Sequence, residues 1–145
     1  MNRSSFYQHF DSREELLAAA LERIETEMAH ADEPVIVTND SQPPAELVRF
    51  MRHFAAHRSL YRGVFGPQGS ALVASQVRAR MISFVRAGME LTPARPALAG
   101  LPIRIAAAGT SGALLGIIEA WLAEDQAPGP EVAAEWAWRV LRPGD

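Results

Sequence analysis

The chain has 145 residues and contains neither cysteine nor lysine. Without cysteine, disulfide bonds and thiol chemistry are excluded, and a reducing compartment is the default expectation. Because all 14 basic residues are arginine, a P-loop, a Schiff base and a lysine general base are excluded as well. The longest uncharged apolar run, Ile105 to Ile118, has 14 residues, whereas about 20 are needed to cross a bilayer. We therefore expect a cytoplasmic protein with no membrane segment.

Strong charge of either sign is also lacking, since the net charge is only −3. Bulk charge therefore does not indicate a nucleic-acid-binding protein. What is present is an ordinary globular composition, with 48% apolar and 21% charged residues, in a chain long enough to form one domain with a core of its own.

Apolar residues recur at helical spacing along most of the chain, and proline or glycine separates the segments. A β-branched run lies within residues 31–44, but there is no second strand for it to pair with, so we predict a connection there. The expected fold is all-α, a helical bundle of six or seven helices. The helices are predicted at residues 3–9, 12–30, 44–57, 59–65, 71–89, 103–124 and 130–142.

The first 17 residues combine a short helical piece with the start of a longer helix. Asp11 and Ser12 are good N-cap residues, and each is followed three positions later by a glutamate. This is the capping-box pattern, so a long helix is predicted to begin near Ser12. The preceding piece carries Phe6 and Phe10 one turn apart, and nothing earlier in the sequence covers them.

Two residue patterns raise the question of a catalytic or metal site. His53 and His57 are four positions apart on a predicted helix, a spacing that can bind one metal ion, but no cysteine or carboxylate is placed to complete the ligand set. We predict two exposed surface histidines, with no metal and no cofactor. The sequence GTSGA at 109–113 is not a G-x-S-x-G nucleophile elbow and lies inside a predicted helix. Small residues there are expected to let another helix approach closely: Ala106, Ala107, Gly109, Gly112, Ala113 and Gly116.

Large aromatic and methionine side chains are concentrated on three consecutive helices. They fit ordinary core packing, and they also fit the lining of an apolar ligand cavity with one phenol group. Both interpretations stay open from the sequence. The candidate ligand-binding residues are Phe50, Met51, Phe54, Tyr61, Phe65, Met81 and Phe84.

The last two helices carry large apolar residues on more than one face. A small chain has few layers in which to bury them, so we expect these helices to pack against their copies in a homodimer, which for an obligate pair buries about 2,000 Å² or more. The predicted interface residues are Ile117, Ile118, Trp121, Leu122, Trp136 and Val140.

The segment from Asn2 to Leu17 resembles the end of the DNA-binding domain in tetracycline-repressor-like (TetR) regulators. The family pattern is a recognition helix ending in Tyr-x-His-Phe, then a small polar residue, then Lys-x-x-Leu. Residues 57–70 resemble a stretch of the family's regulatory domains, and residues 119–125 with the helix that follows resemble its dimerisation region. The residues that match the first pattern, with arginine in place of lysine, are Tyr7, His9, Phe10, Ser12, Arg13 and Leu16.

This resemblance implies a TetR-like regulatory domain with a remnant of the helix-turn-helix head. Residues 1–11 would hold the recognition helix, 12–31 the connecting helix, and 32–145 the ligand-binding and dimerisation domain. It also implies that the reading frame continues upstream of Met1 for about 40 residues, enough for two more helices and a turn. Carried over by position, the residues facing bases are Asn2, Arg3, Ser4 and Ser5, and those facing phosphates are Tyr7 and His9.

The function expected from these observations is a homodimeric, ligand-responsive transcriptional repressor with a small apolar effector. It would bind operator DNA only with the upstream residues present. The alternative is a head-less ligand-binding or interaction module that does not bind DNA. An enzyme is disfavoured by the lack of suitable nucleophiles and bases.

Overall fold

The computed structural model of the protein describes residues 41–67, 69–91 and 98–141, together with the single positions 19, 22, 23 and 26. Within these ranges the chain forms five helices and no strand, which confirms the all-α class. The helices are α1 (Ala45–Ala56), α2 (Arg58–Phe65), α3 (Ala71–Leu91), α4 (Ile103–Ala123) and α5 (Pro130–Leu141). The predicted recognition helix lies outside the described residues.

Local sequence signals account for where these helices start. Pro44 and Pro102 immediately precede α1 and α4, and Pro130 is the first residue of α5. Proline suits these positions because its φ is already helical and no N–H is needed there. The hydroxyl oxygen of Ser70 accepts a hydrogen bond from the Val73 N–H at 3.4 Å, and this contact caps the start of α3.

Two short connections set the path of the chain around α2. A single residue, His57, separates α1 from α2 and leaves helical geometry with φ −117° and ψ 33°. After α2 the chain folds back so closely that a Cβ on Gly69 would lie 2.1 Å from the Val64 carbonyl oxygen. Glycine is therefore required at position 69, because any side chain there would collide with the backbone at the end of α2.

Helix α4 is central and packs against all four of the other described helices, most extensively against α3. Helix α5 packs on α1 and α4. By length and composition α4 could also cross a membrane, but the core helix of a soluble protein has the same composition. The cytoplasmic location therefore stays a prediction. The largest fully buried side chains are Trp138, Tyr61, Leu47, Met51, Ile118, Leu122, Val73 and Val77.

One contact reaches from the region of the predicted connecting helix to this bundle. The backbone is helical at position 22, and the Glu22 carboxylate lies 3.4 Å from the Arg80 guanidinium on α3. Both side chains are exposed, so the ion pair contributes little to stability. Its significance is that it places residue 22 beside α3.

Candidate functional site

The aromatic cluster, defined as Phe50, Phe54, Tyr61, Phe65 and Phe84, joins α1, α2 and α3. Residues four apart share one face of a helix, so α1 and α2 each contribute two of these rings. The Phe50 and Phe84 rings stack with centroids 4.8 Å apart, and the Phe54 and Tyr61 centroids are 4.4 Å apart. Tyr61 also stacks with Phe65 at 6.2 Å.

All seven predicted ligand-binding residues therefore belong to one group of packed side chains. Met51 and Met81 are buried in the same core. Phe65 and Phe84 are only half-buried and lie at the edge of the cluster. Since the rings contact one another directly, an apolar ligand would have to separate them in order to bind.

His53 adds a polar group to this apolar surrounding, because its Nε2 lies 2.7 Å from the Tyr61 hydroxyl. The prediction of two exposed surface histidines is wrong: His53 and His57 are both half-buried, and the His53 ring packs edge-on against Phe54. The one-residue break at His57 turns α2 back towards α1, and this brings Tyr61 to His53. Sequence reasoning missed the pair because the direction of that break depends on tertiary packing.

The same surroundings change the acid–base chemistry of His53. Two effects together lower the pKa of His53 from its ordinary value of 6.5 to about 4. Burial is the larger one, and the nearby His57, whose ring centroid is 5.1 Å away, is the smaller. At neutral pH the imidazole is therefore uncharged, and a neutral ring has one nitrogen that can donate and one that can accept a hydrogen bond. Which nitrogen carries the proton depends on the tautomer.

The two histidines do not come with further metal ligands in the part of the chain that the structure describes. No group of three or more His, Cys, Asp or Glu side chains there could hold a metal ion. The neighbour that the fold supplies to His53 is a phenol, so this pair is arranged for a hydrogen bond.

A second set of polar contacts lies where α4 ends. The Arg58 Nη2 on α2 donates hydrogen bonds to the Leu122 carbonyl oxygen at 3.3 Å and to the Glu124 carbonyl oxygen. The Trp121 indole Nε1 donates to the Pro128 carbonyl oxygen at 2.8 Å. The turn that leads to α5 is thus held from two sides. No local pattern indicates the Arg58 contact, which joins residues more than 60 positions apart.

The predicted dimer residues separate into two groups. Ile118, Trp121 and Leu122 are buried by their own chain, and Ile117 is half-buried. The expectation that the first three lie on a surface is corrected, because α4 turns that side towards the core of the protomer. Trp136 and Val140, in contrast, are exposed on α5, at 38% and 60%.

The small residues of α4 also lie differently from the prediction. Ala106 and Ala107 face the core, but Gly109, Gly112 and Gly116 are exposed, and a Cβ at any of these three glycines would meet open space. No other described helix therefore packs closely against α4 at these three glycines. Nearby, the buried Ser111 hydroxyl donates to the Ala108 carbonyl oxygen at 3.1 Å within its own helix.

The predicted DNA contacts at residues 2–5, 7 and 9 lie outside the described residues. Comparisons of the chain with family models, curated proteins and solved structures each return no match. Membership of the TetR family accordingly stays a prediction that depends on the sequence motif.

Proposed function

We propose that this protein is a ligand-responsive, DNA-binding transcriptional repressor that acts as a homodimer. The observation that carries the proposal is the motif Tyr7-Gln8-His9-Phe10 directly before the capping-box sequence that begins at Asp11. This motif resembles the end of a TetR recognition helix, and an all-helical domain follows it.

Exposed apolar residues on α4 and α5 support the homodimer. Val132, Trp136 and Val140 are spaced four residues apart on α5, so they share one face of that helix, and all three are exposed. On the neighbouring α4, Ile105 is exposed as well. Single exposed apolar residues are common, but a row that includes a tryptophan is typical of an interaction surface.

The aromatic cluster supports an apolar effector site. Rings from three helices meet there, and the His53–Tyr61 pair supplies a neutral hydrogen-bonding group for an effector's polar atom. An effector that binds between Phe50 and Phe84 would move α3 relative to α1. Because α3 contacts residue 22 through Arg80, such a movement would bias the segment that precedes α1.

Loss of operator binding then follows from geometry. Two recognition helices of a dimer read half-sites about one DNA turn apart, so a small change in their separation costs base contacts. The effector acts by stabilising a conformation in which the separation of the two recognition helices does not match the half-sites. The size of the population shift is set by the difference in the effector's affinity for the two conformations.

A test of DNA binding compares two forms of the protein. The 145-residue chain and a longer form that also carries the in-frame residues encoded upstream of Met1 are each tested by mobility shift against DNA from their own genomic neighbourhood. We expect specific binding by the longer form alone, since residues 1–30 contain three arginines and six acidic residues and phosphate contacts supply much of the affinity. Specific, salt-sensitive binding by the shorter chain would contradict this prediction.

The charge of residues 1–30 is also the observation that favours the second candidate, a ligand-binding module that does not bind DNA. It predicts that neither form binds DNA, while apolar compounds still raise the thermal stability of both. If neither form binds DNA and apolar compounds raise the thermal stability of both, the protein is better described as a ligand-binding module.

A further inference from the structure

The turn between α4 and α5 sets the point from which α5 starts, and α5 then packs on α1 and α4. Residues 124–129 are all that connects the two helices, and the exposed row on α5 starts immediately afterwards at Val132. A change in this turn would therefore change where that row faces.

Two side chains hold the turn, and one of them comes from a distant part of the chain. Trp121 belongs to α4 itself and binds the Pro128 carbonyl. Arg58 belongs to α2 and binds the carbonyls of Leu122 and Glu124. The last carbonyls of a helix have no partner within the helix, and a cation at that end also interacts favourably with the helix dipole.

The Arg58 contact involves a partly desolvated charge. Its Nε is buried and has no hydrogen-bond partner among the described residues, and its Nη2 donates to the carbonyls of Leu122 and Glu124. Hydrogen bonds from a charged donor are stronger than those between neutral groups. Removing this side chain would also leave the Leu122 and Glu124 carbonyls without this donor.

Arg58 is itself held in place through α2. Tyr61 is one helical turn further along, is fully buried and contacts His53 on α1. Helix α2 has only eight residues, so its two ends move together. The packing of Tyr61 in the aromatic cluster thus anchors the helix that carries Arg58.

We propose that Arg58 is a positioning residue that fixes the turn between α4 and α5 and thereby the orientation of the exposed apolar row on α5. Its effect on self-association rests on the proposed homodimer. Its effect on the turn does not depend on that function.

The test compares Arg58→Met, which keeps the length of the side chain but removes its donors, with Arg62→Met as the matched control. Arg62 lies on the exposed side of the same helix. Amide hydrogen exchange is followed for residues 124–133 and, as an internal reference, for 103–118, and self-association is measured by sedimentation equilibrium. We expect Arg58→Met to weaken protection in 124–133 and self-association by about tenfold each, with neither effect in Arg62→Met.

Arg58→Lys provides the second variant, because it keeps a charged donor at the same position. We expect it to restore part of the protection of residues 124–133. Unchanged exchange in this segment for Arg58→Met would overturn the proposal. So would a loss of protection spread over all helices in both Arg58 variants, since Arg58 would then support the whole fold.

The same experiment separates this inference from the proposed homodimer. If the wild-type protein is monomeric at micromolar concentration, the proposed homodimer is excluded. The hydrogen-exchange data still decide the role of Arg58 in the turn. A dimer whose affinity is unchanged in Arg58→Met, despite a loosened turn, would overturn the link between the turn and the apolar row.

Discussion

His53 is a titratable side chain in a mostly apolar setting, and this has a consequence for stability. Its pKa is lowered from 6.5 to about 4 in the folded protein, by burial first and by His57 second. Between these two pH values the unfolded chain binds a proton that the folded chain does not. The folded protein therefore has its full stability, as far as His53 is concerned, above pH 6.5. This part of the stability is lost progressively as the pH falls towards 4, because protons then bind preferentially to the unfolded chain.

We expect this titration to lower the free energy of unfolding by about 2 kcal/mol, since one pKa unit corresponds to about 1.4 kcal/mol and the partly exposed ring is screened to some extent. His53→Gln keeps a hydrogen-bonding group but cannot titrate, so its stability should vary less between pH 6.5 and 4. The measurement is urea unfolding of both proteins across this range. His57→Gln is the control that removes only the neighbouring charge, and equal pH dependence in wild type and His53→Gln would contradict the prediction.

Among the elements, the turn between α2 and α3 is the place where a single glycine decides whether two helices can connect. A Cβ at position 69 would lie 2.1 Å from the Val64 carbonyl oxygen and 2.7 Å from the Gly63 carbonyl oxygen. Both neighbours are backbone atoms, so they cannot turn aside as a side chain would. The start of α3 would have to move.

We predict that Gly69→Ala lowers the free energy of unfolding by about 1–3 kcal/mol, the range typical of overpacking. Gly63→Ala is the matched control: Gly63 is exposed within α2, and its added methyl group meets nothing within 4 Å. That control should gain about 0.5–1 kcal/mol, because alanine is the better helix former. Denaturant unfolding of the two variants measures the expected loss for Gly69→Ala and the expected gain for Gly63→Ala. An unchanged free energy of unfolding for Gly69→Ala would show that the turn can move to admit a methyl group.

For the molecule as a whole, the main question is which apolar surfaces belong to the core and which to a partner. Trp121 is covered by its own chain, whereas Trp136 is 38% exposed. The two tryptophans are therefore expected to respond differently to the same substitution. A charged residue substituted at position 136 stays in contact with water in the monomer, whereas one substituted at position 121 is buried.

We predict that Trp136→Glu leaves the helical content intact and raises the dimer dissociation constant by about tenfold or more, as expected for a tryptophan at an interface. Trp121→Glu should instead unfold the protein by burying an unpaired charge. Sedimentation and circular dichroism together distinguish these outcomes. Glu135→Gln, an exposed change on the same helix that keeps a hydrogen-bond acceptor for Arg139, is the control. A dimer unaffected by Trp136→Glu would exclude this face as the interface.

The amino-acid sequence by itself determined the helical class and the starts of α1, α3, α4 and α5. Proline before or at the start of α1, α4 and α5, and the Ser70 hydroxyl before α3, are local signals that act on the residues next to them. Seven aromatic and methionine side chains are concentrated on three consecutive helices in the sequence, and in the structure they pack in one core. Helix starts depend on residues that are close in the sequence, so they can be predicted from the sequence alone.

Only the tertiary structure decided which side of each helix is covered. Periodicity showed that α4 is apolar nearly all round, but packing against α1, α2, α3 and α5 placed Ile118 in the core and left Gly109 outside. The burial of His53 and the reach of Arg58 to the end of α4 were decided in the same way. The physical reason is that desolvation and long-range hydrogen bonds depend on which distant segments meet, and the periodicity of one helix carries no information about its neighbours.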